Sequence, residues 1–280
     1  MKKKTLKTIA FITALILIIG LSWFANALLG NPISKMLATN TAKKHLAETY
    51  ADTDYYIEDV RYSFKTCDYY AHIKSPSSID TEFTLYISMF GKLELDTYED
   101  VLTGAITARR IDQEYRKLVD SLLEHPSFPY SVEIGYGTLE IYPEELIGNP
   151  NVHDIPDYSI SQNSLELDKI YNVSELGQQA GHIVIYVESD IVSIEKAAEI
   201  ILDIKSYFDE ANIPFVAMDF TLQHIKSEDD TRIDDEEIHV KDFLYKDIYS
   251  ENMNDRVLDA HNALTKYYEE LDKEKLEEIN

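Results

Sequence analysis

The sequence predicts an α+β protein in which an N-terminal transmembrane helix precedes two small α+β domains. An uncharged apolar run covers residues 9–29, and alternating strands between two amphipathic helices follow it. Farther along, two strongly apolar strands flank a third amphipathic helix. We therefore expect a cytoplasmic tail and transmembrane anchor at 1–30, a first domain at 31–126 and a second domain at 127–280.

The apolar run from Ile9 to Leu29 contains 21 residues without charge. A hydrocarbon core of about 30 Å needs roughly 20 apolar residues in a helix, so the run is long enough to span it. Lys2, Lys3, Lys4 and Lys7 flank the inner end, and no acidic residue occurs before Glu48. The positive-inside rule then predicts a cytoplasmic N-terminus and an extracellular body. The predicted membrane-anchor residues are Ile9, Leu15, Leu17, Trp23 and Leu29.

A cleaved signal peptide is the alternative interpretation of the same run. Ala25-Asn26-Ala27 has the small-x-small spacing that a signal peptidase accepts. The run is longer than a usual signal core, however, and Leu28 and Leu29 continue it past that spacing. We therefore favour a retained anchor, and both interpretations export the body.

The exported part is strongly acidic. Four of the 26 lysines and arginines precede residue 30, which leaves 22 basic against 51 acidic side chains and a formal charge of −29. Such a surface repels phosphate backbones, so nucleic acid is excluded as a partner. The sequence contains no Walker A and no G-x-G-x-x-G motif, which argues against a nucleotide. One cysteine, Cys67, allows no disulfide within the chain and suits a turn.

In the first domain, Ser34 is expected to cap a helix that runs to about Tyr50. A hairpin turning at 65–68 follows, and then a strand in which Phe83, Leu85, Ile87 and Met89 share one face. Gly91 leads into a further short strand. The first domain ends with one continuous amphipathic helix over roughly 100–123, followed by His125-Pro126.

In the second domain, residues 131–141 predict a strand pair or one strand bent at its glycines, and residues 143–180 predict a long irregular excursion. The strand GHIVIYVES, a helix capped by Ser193 and the strand FVAMDFTLQ predict a crossover with both strands parallel in one sheet. EIHVKDFLY is predicted to be an edge strand, and a helix over about 255–277 closes the chain.

The residues that carry chemistry form no recognised catalytic motif. The eight histidines are scattered, without a short ligand spacing, so a metal site would require distant residues to converge. Residues 228–237 are rich in acids, but Arg232 and the missing glycine of a calcium loop favour a solvated loop over a calcium site. Ser193-Ile194-Glu195-Lys196 matches S-x-x-K, yet its partner motifs are absent, and a helix cap explains Ser193.

Two further candidates have simple structural explanations. Adjacent carboxylates such as Glu144 and Glu145 are expected in so acidic a chain, so they do not indicate acid–base catalysis. Arg109 and Arg110 form a basic doublet that suits exposed ion pairs with Asp112 or Glu114 more than an anion site. We therefore assign no catalytic, cofactor-binding or metal residues and expect no cofactor.

Four long stretches resemble the YfjL-like family of membrane-anchored proteins of Gram-positive bacteria. They are GNPISKMLATNTAKKHLAETY, YYAHIKSPSSIDTEFTLYIS, DTYEDVLTGAITARRIDQEYRKLV and HIVIYVESDIVSIEKAAEIILDIKSYFDEANIPFVAMDFTLQ. The resemblance implies the membrane topology and a two-part body. It implies no activity and no catalytic residues.

We expect a non-catalytic single-pass protein of the cell membrane, with a binding, sensing or assembly role in the bacterial envelope. Its partners would be the lipid bilayer, through the N-terminal helix, and another envelope protein or peptide. The alternatives are a hydrolase that acts on the envelope and an inhibitor-like module that regulates peptidases. The inhibitor-like module rests on analogy of architecture alone. A third alternative is a structural module that is stabilised by calcium.

Overall fold

The computed structural model describes residues 2–150, 152, 155–225 and 237–278. It confirms an α+β fold with a long apolar helix at the N-terminus, an antiparallel sheet and a mixed sheet followed by a C-terminal helix. The chain divides into two compact units. Unit 1 comprises residues 1–107 and 166–168, and unit 2 comprises residues 108–165 and 169–280.

Unit 1 begins with two consecutive helices, α1 (Lys2–Leu29) and α2 (Pro32–Thr49). Gly30, with φ of +69°, ends α1 in the left-handed conformation that glycine adopts at low cost. The prediction that Ser34 caps α2 is wrong. Asn31 is the cap, because its side chain accepts the Ser34 amide at 2.8 Å and Pro32 supplies the fixed φ of the first helical position.

The sheet of unit 1 is an antiparallel meander of four strands in sequence order. The strands are β1 (Tyr56–Ser63), β2 (Asp68–Lys74), β3 (Glu82–Ser88) and β4 (Leu93–Asp96). Alternate residues of β2 and β3 are buried and face one another across the ladder as the pairs Tyr69–Ile87, Ala71–Leu85 and Ile73–Phe83. This confirms the predicted face. Ala38 and Ala42 of α2, both fully buried, belong to the same core.

The helix predicted over 100–123 is interrupted. It consists of α3 (Glu99–Leu102) and α4 (Ala105–Leu123), separated by Thr103 and by Gly104 at φ of +79°. One continuous helix was therefore a wrong prediction, because a residue with positive φ cannot continue an α-helix. Ile106, in the first turn of α4, belongs to the core of unit 1, whereas Ile111, Tyr115 and Val119 belong to the core of unit 2. The chain passes from unit 1 to unit 2 between residues 107 and 108, whereas the boundary predicted from the sequence lies after residue 126.

After α4, unit 2 continues with a single strand, β5 (Ser131–Leu139), which carries a bulge between Val132 and Ile134. The stretch predicted to be irregular contains regular elements. They are β7 (Ile160–Ser161) and α5 (Val173–Ala180), and β7 pairs in parallel with β6 (Ile141–Tyr142), which lies just before that stretch. These elements are too short for periodicity in the sequence to reveal them.

The main sheet of unit 2 has the strand order β10-β9-β8-β5. Its other elements are β8 (Gly181–Ser189), α6 (Ile194–Glu210), β9 (Ala217–His224), β10 (Ile238–Leu244) and α7 (Met253–Glu278). The predictions that β8 and β9 are parallel, that α6 connects them and that β10 lies at the edge are confirmed. The core lies between this sheet and its helices, with Ile183, Ile185, Ile201, Ile204 and Phe208 fully buried.

Candidate functional site

Helix α1 holds all the predicted anchor residues on a surface that the rest of the described structure leaves exposed. Their exposure ranges from 46% for Leu15 to 79% for Leu29, and the other three are Ile9, Leu17 and Trp23. Among the described residues, this is the one stretch of helix long and apolar enough to cross a membrane, and none of its apolar window is buried. So large an exposed apolar surface suits lipid as its surroundings.

The C-terminal end of α1 and the junction that follows it are held to the sheet of unit 1 by two tyrosines. The Tyr62 hydroxyl donates to the Ala27 carbonyl at 2.7 Å. The Tyr69 hydroxyl donates to the Asn31 carbonyl at 3.0 Å and accepts the Asn31 amide at 2.9 Å. The two rings also contact each other, with centroids 5.2 Å apart. The last turn of α1 is thus positioned directly on the body.

The second feature is a cluster of ionisable side chains in unit 2 around a buried histidine. His182 is the second residue of β8, Asp219 the third of β9 and Asp242 lies in β10, so three neighbouring strands contribute. Glu140, between β5 and β6, and Tyr158, before β7, complete the group. The strands bring together residues that are up to about a hundred positions apart in the sequence.

The His182 imidazole lies between carboxylates on both edges. Its Nδ1 is 3.1 Å from Glu140 Oε1, and its Nε2 is 3.0 Å from Asp219 Oδ1. Asp242 Oδ1 is 3.8 Å from Nδ1, and the Tyr158 oxygen is 2.9 Å from the same nitrogen. The His182 side chain is only 7% exposed, against 49% for Asp242, so the cluster reaches from the interior to the surface.

The backbone of β10 is bent where it supplies Asp242. The register of the β9–β10 ladder shifts between Val240 and Phe243, and Asp242 has a φ of +51°. A non-glycine residue in this region costs about 1 kcal/mol or more and often marks a functional position. The Asp242 amide donates to Asp219 Oδ1 at 2.7 Å, which fixes the bulge beside the cluster.

The protonation states of the cluster follow from burial and charge. Burial lowers the pKa of His182, but the adjacent carboxylates of Asp219 and Glu140 outweigh this effect and raise that pKa to about 9. Burial raises the pKa of Glu140, but hydrogen bonds with His182 and Tyr142 outweigh it and hold that pKa below its usual range. Burial and the neighbouring Asp219 carboxylate raise the pKa of Asp242. At neutral pH the imidazole is therefore charged.

A largely apolar cavity of about 600 Å³ lies in unit 2 and shares Tyr158 with the cluster. Its other lining residues are Asp157, Gln178, Asp209, Pro214, Phe215, Val216, Leu244, Tyr245 and Lys246. Burial and the surrounding carboxylates raise the pKa of the Tyr158 hydroxyl well above its usual range, so this hydroxyl stays neutral. The cavity is large enough for a small ligand or for a side chain of a bound peptide.

The residues that the sequence singled out as possible functional residues do not belong to the cluster around His182. Ser193 is confirmed as a helix cap, because its hydroxyl accepts the Lys196 amide at 3.2 Å. Arg110 pairs with Glu114 at 3.0 Å, as predicted, but its side chain is only 18% exposed and also donates to the Lys169 carbonyl at 2.8 Å, so the pair is not fully exposed. Cys67 is exposed in the β1–β2 turn at φ of +59°.

Two other candidates show no catalytic arrangement among the described residues. Glu144 and Glu145 are exposed in the turn after β6. The acidic stretch 228–237 lies outside the described residues except for Glu237, whose carboxylate is 2.8 Å from His239 Nε2.

Sequence reasoning missed the cluster around His182. The scattered histidines allowed a metal site only if distant residues converge, and the residues that converge on His182 are carboxylates and a tyrosine rather than further histidines. One signal was available, since Asp219 interrupts the apolar run from Phe215 to Phe220, and a charged group in such a run needs a partner.

The fold and the exposed helix α1 define an α+β protein compatible with single-pass membrane attachment. The model of the YfjL-like N-terminal domain matches residues 2–97, and that of the YfjL-like C-terminal domain matches residues 114–258. The chain therefore belongs to the YfjL-like family, as its sequence resemblance indicated. No curated protein and no solved structure matches the chain significantly.

Proposed function

We propose that this chain is a single-pass cell-surface protein of the bacterial envelope that acts by binding a partner rather than by catalysis. The observation that carries the proposal is helix α1, whose apolar side chains lie exposed over its whole length. Insertion into a lipid bilayer would remove this apolar surface from water, and a helix of 28 residues is long enough to cross the hydrocarbon core.

The distribution of charge supports an orientation with the N-terminus in the cytoplasm. Lys2, Lys3, Lys4 and Lys7 precede the apolar stretch, whereas the body beyond it carries a formal charge of −29. Basic residues close to a membrane helix favour the cytoplasmic side, while acidic residues contribute little to orientation. The body would then lie outside the cell.

The apolar surface of unit 1 near the end of α1 supports close attachment to lipid. Ile33, Met36 and Leu37 lie on the first turns of α2 and are 68%, 57% and 39% exposed. Phe90 is 83% exposed, and the adjacent Gly91 lies against Leu37. Apolar side chains next to a membrane helix lower their free energy by entering the interfacial layer.

The cavity of unit 2 supports a binding role for the body. Phe215, Val216 and Leu244 offer apolar contacts, and Asp157 places a carboxylate beside them, whereas Asp209 is paired with Lys205 at 3.6 Å and Lys246 lies at the same cavity. This lining suits an apolar side chain next to a basic group, as in a segment of a basic peptide or protein. The Tyr158 hydroxyl is held neutral by its raised pKa, which makes it a poor nucleophile.

Protease treatment of intact cells that express the full chain tests the topology. We expect digestion of the body and survival of a short fragment that contains α1. Glutamate at positions 2, 3, 4 and 7 should protect part of the body by inverting the chain, whereas arginine at these positions keeps the charge and should change nothing. A wild-type body that is digested only after cell lysis would refute the proposed orientation, and a mature N-terminus beginning after Ala27 would refute the anchor.

A photo-cross-linking residue at Lys246, beside the cavity, tests the binding role on intact cells. Glu195 on the exposed face of α6 provides the matched control position. We expect a defined cross-linked species from position 246 and none from position 195. Identical patterns from both positions would contradict a partner at the cavity.

A further inference from the structure

We propose that His182, Asp219 and Asp242 form a binding site for one Zn²⁺ ion. This assignment goes beyond the proposed function and does not depend on membrane attachment. It rests on the convergence of three ligand-type side chains, on a buried imidazole nitrogen without an aligned hydrogen-bond partner, and on the groups that hold these side chains in place.

The ligand atoms are close enough to share one ion. One atom from each of His182, Asp219 and Asp242 lies within 4.8 Å of the other two. Zinc bonds to nitrogen and oxygen are about 2.0–2.2 Å long, so ligand atoms at tetrahedral angles around one ion are about 3.4 Å apart. Asp219 is already within this distance of the imidazole, whereas Asp242 Oδ1 lies 3.8 Å from the other ring nitrogen, Nδ1, and its side chain would have to move toward Nε2 by about 1 Å or more.

The His182 side chain is buried and has one ring nitrogen left for an ion. Its Nδ1 lies 3.1 Å from Glu140 Oε1, which orients the ring through one edge. Its Nε2 is 3.0 Å from Asp219 Oδ1, but the two atoms do not align as donor and acceptor, and this buried nitrogen forms no hydrogen bond in the described structure. A buried polar atom without such a bond is uncommon and requires an explanation.

The groups behind the ligands match the outer shell of a zinc site. A zinc-bound histidine generally donates its second ring N–H to a carboxylate, which is the arrangement of His182 with Glu140. Glu140 in turn accepts the Tyr142 hydroxyl at 2.6 Å. On the other side, the Asp242 amide donates to Asp219 Oδ1, so the strained bulge of β10 positions both carboxylates.

The charge and the donor types favour a divalent cation, and zinc in particular. Three carboxylates, from Glu140, Asp219 and Asp242, surround one imidazole, and a cation would offset the negative excess. Ca²⁺ and Mg²⁺ prefer sites made only of oxygen, whereas one nitrogen and two oxygens from protein, with water as fourth ligand, suit zinc. Binding replaces the proton on the ligating nitrogen, which is released to solvent.

Zinc binding to the full-length protein in detergent tests the inference. The protein is first treated with a chelator, and Zn²⁺ uptake is then measured by equilibrium dialysis in about 1 M salt, which screens surface charges beyond about 3 Å. We expect one Zn²⁺ per chain and a rise in melting temperature on saturation. Co²⁺ in place of Zn²⁺ should give the visible absorption bands of a tetrahedral site.

Matched variants separate this site from the acidic surface. Asp219→Asn and Asp242→Asn should each weaken Zn²⁺ binding at least tenfold, and Glu140→Gln should weaken it about 10–100-fold by loosening the ring of His182. Glu144→Gln removes an exposed carboxylate of the same unit and should leave the affinity unchanged. Asp242 is half-exposed, so its amide variant is expected to fold, which circular dichroism checks.

Three results would overturn the assignment. The first is a wild-type protein that takes up no Zn²⁺ at millimolar concentration. The second is equal affinity in wild type, Asp219→Asn and Asp242→Asn, which would place the ion elsewhere on the acidic surface. The third is Ca²⁺ or Mg²⁺ binding as tightly as Zn²⁺, which would contradict the role of the imidazole.

Discussion

Gly177→Ala in α5 should destabilise unit 2, although alanine is the better helix former. Gly177 lies against the ring of Tyr115, which is fully buried and donates its hydroxyl to the Pro214 carbonyl at 2.8 Å. A Cβ at position 177 would lie 2.6 Å from Tyr115 Cε2 and 2.6 Å from the Pro214 oxygen. Gly137 and Gly181 contact the same side chain, so the ring has little room to move away.

Two opposing effects set the size of this change. Replacing glycine by alanine inside a helix contributes about 1 kcal/mol in favour of folding. Carbon atoms pack at about 3.5–4.0 Å, so the ring or the Pro214 backbone must shift by about 1 Å to accept the methyl group. Overpacking of this kind costs about 1–3 kcal/mol, and here one of the two contacts is a backbone oxygen held by Tyr115. The difference between these two terms is a net loss of up to about 2 kcal/mol.

Urea unfolding of the full chain in detergent, followed by circular dichroism, measures the change. Gln179→Ala, at an exposed position of the same helix, is the control and should remain within about 0.5 kcal/mol of wild type. In a Tyr115→Leu background, the shorter side chain should reduce the penalty of Gly177→Ala. A single Gly177→Ala variant more stable than wild type would refute the packing argument.

Three further predictions concern other parts of the chain. With chelator present, the free energy of unfolding should decrease by up to about 3 kcal/mol as the pH rises from 6.5 to about 9, because Asp219 and Glu140 favour the charged form of His182 and raise its pKa in the folded protein. A free energy of unfolding that stays constant over this pH range would contradict that ion pairing. Asn31→Ala should cost about 0.5–2 kcal/mol in thermal unfolding, because the Ser34 amide loses its cap, and no change in melting temperature would argue against this cap. Ile183→Ala in the fully buried centre of β8 should cost about 2–5 kcal/mol in urea unfolding, and a cost below about 1 kcal/mol would indicate a looser core.

The regular elements were predictable where burial imposes a period on the sequence. Phe83, Leu85 and Ile87 alternate because one face of their sheet is buried, and this period of two appears directly in the sequence. The strand–helix–strand unit around α6 was equally clear, since β8 is apolar on both faces and Ser193 marks the helix start. These signals are local, so one sequence is enough to reveal them.

Other features were not predictable because they depend on contacts between distant residues. The break at Gly104 and the assignment of α4 to the core of unit 2 follow from packing, which no helical period records. The cluster around His182 joins residues from five separate segments, and none of them has a motif of its own. Nor did the sequence indicate that three glycines border the ring of Tyr115.

The direct connection between α1 and unit 1 limits how the body can move when α1 is in a membrane. Only Gly30 and Asn31 separate α1 from α2, and the Tyr62 and Tyr69 hydroxyls hold this junction to the sheet. There is no stalk at this point to let unit 1 swivel or extend away. Any tilt of the membrane helix would therefore be transmitted to the sheet of unit 1. The distance that unit 1 extends from the membrane surface would be set by the size of unit 1 itself.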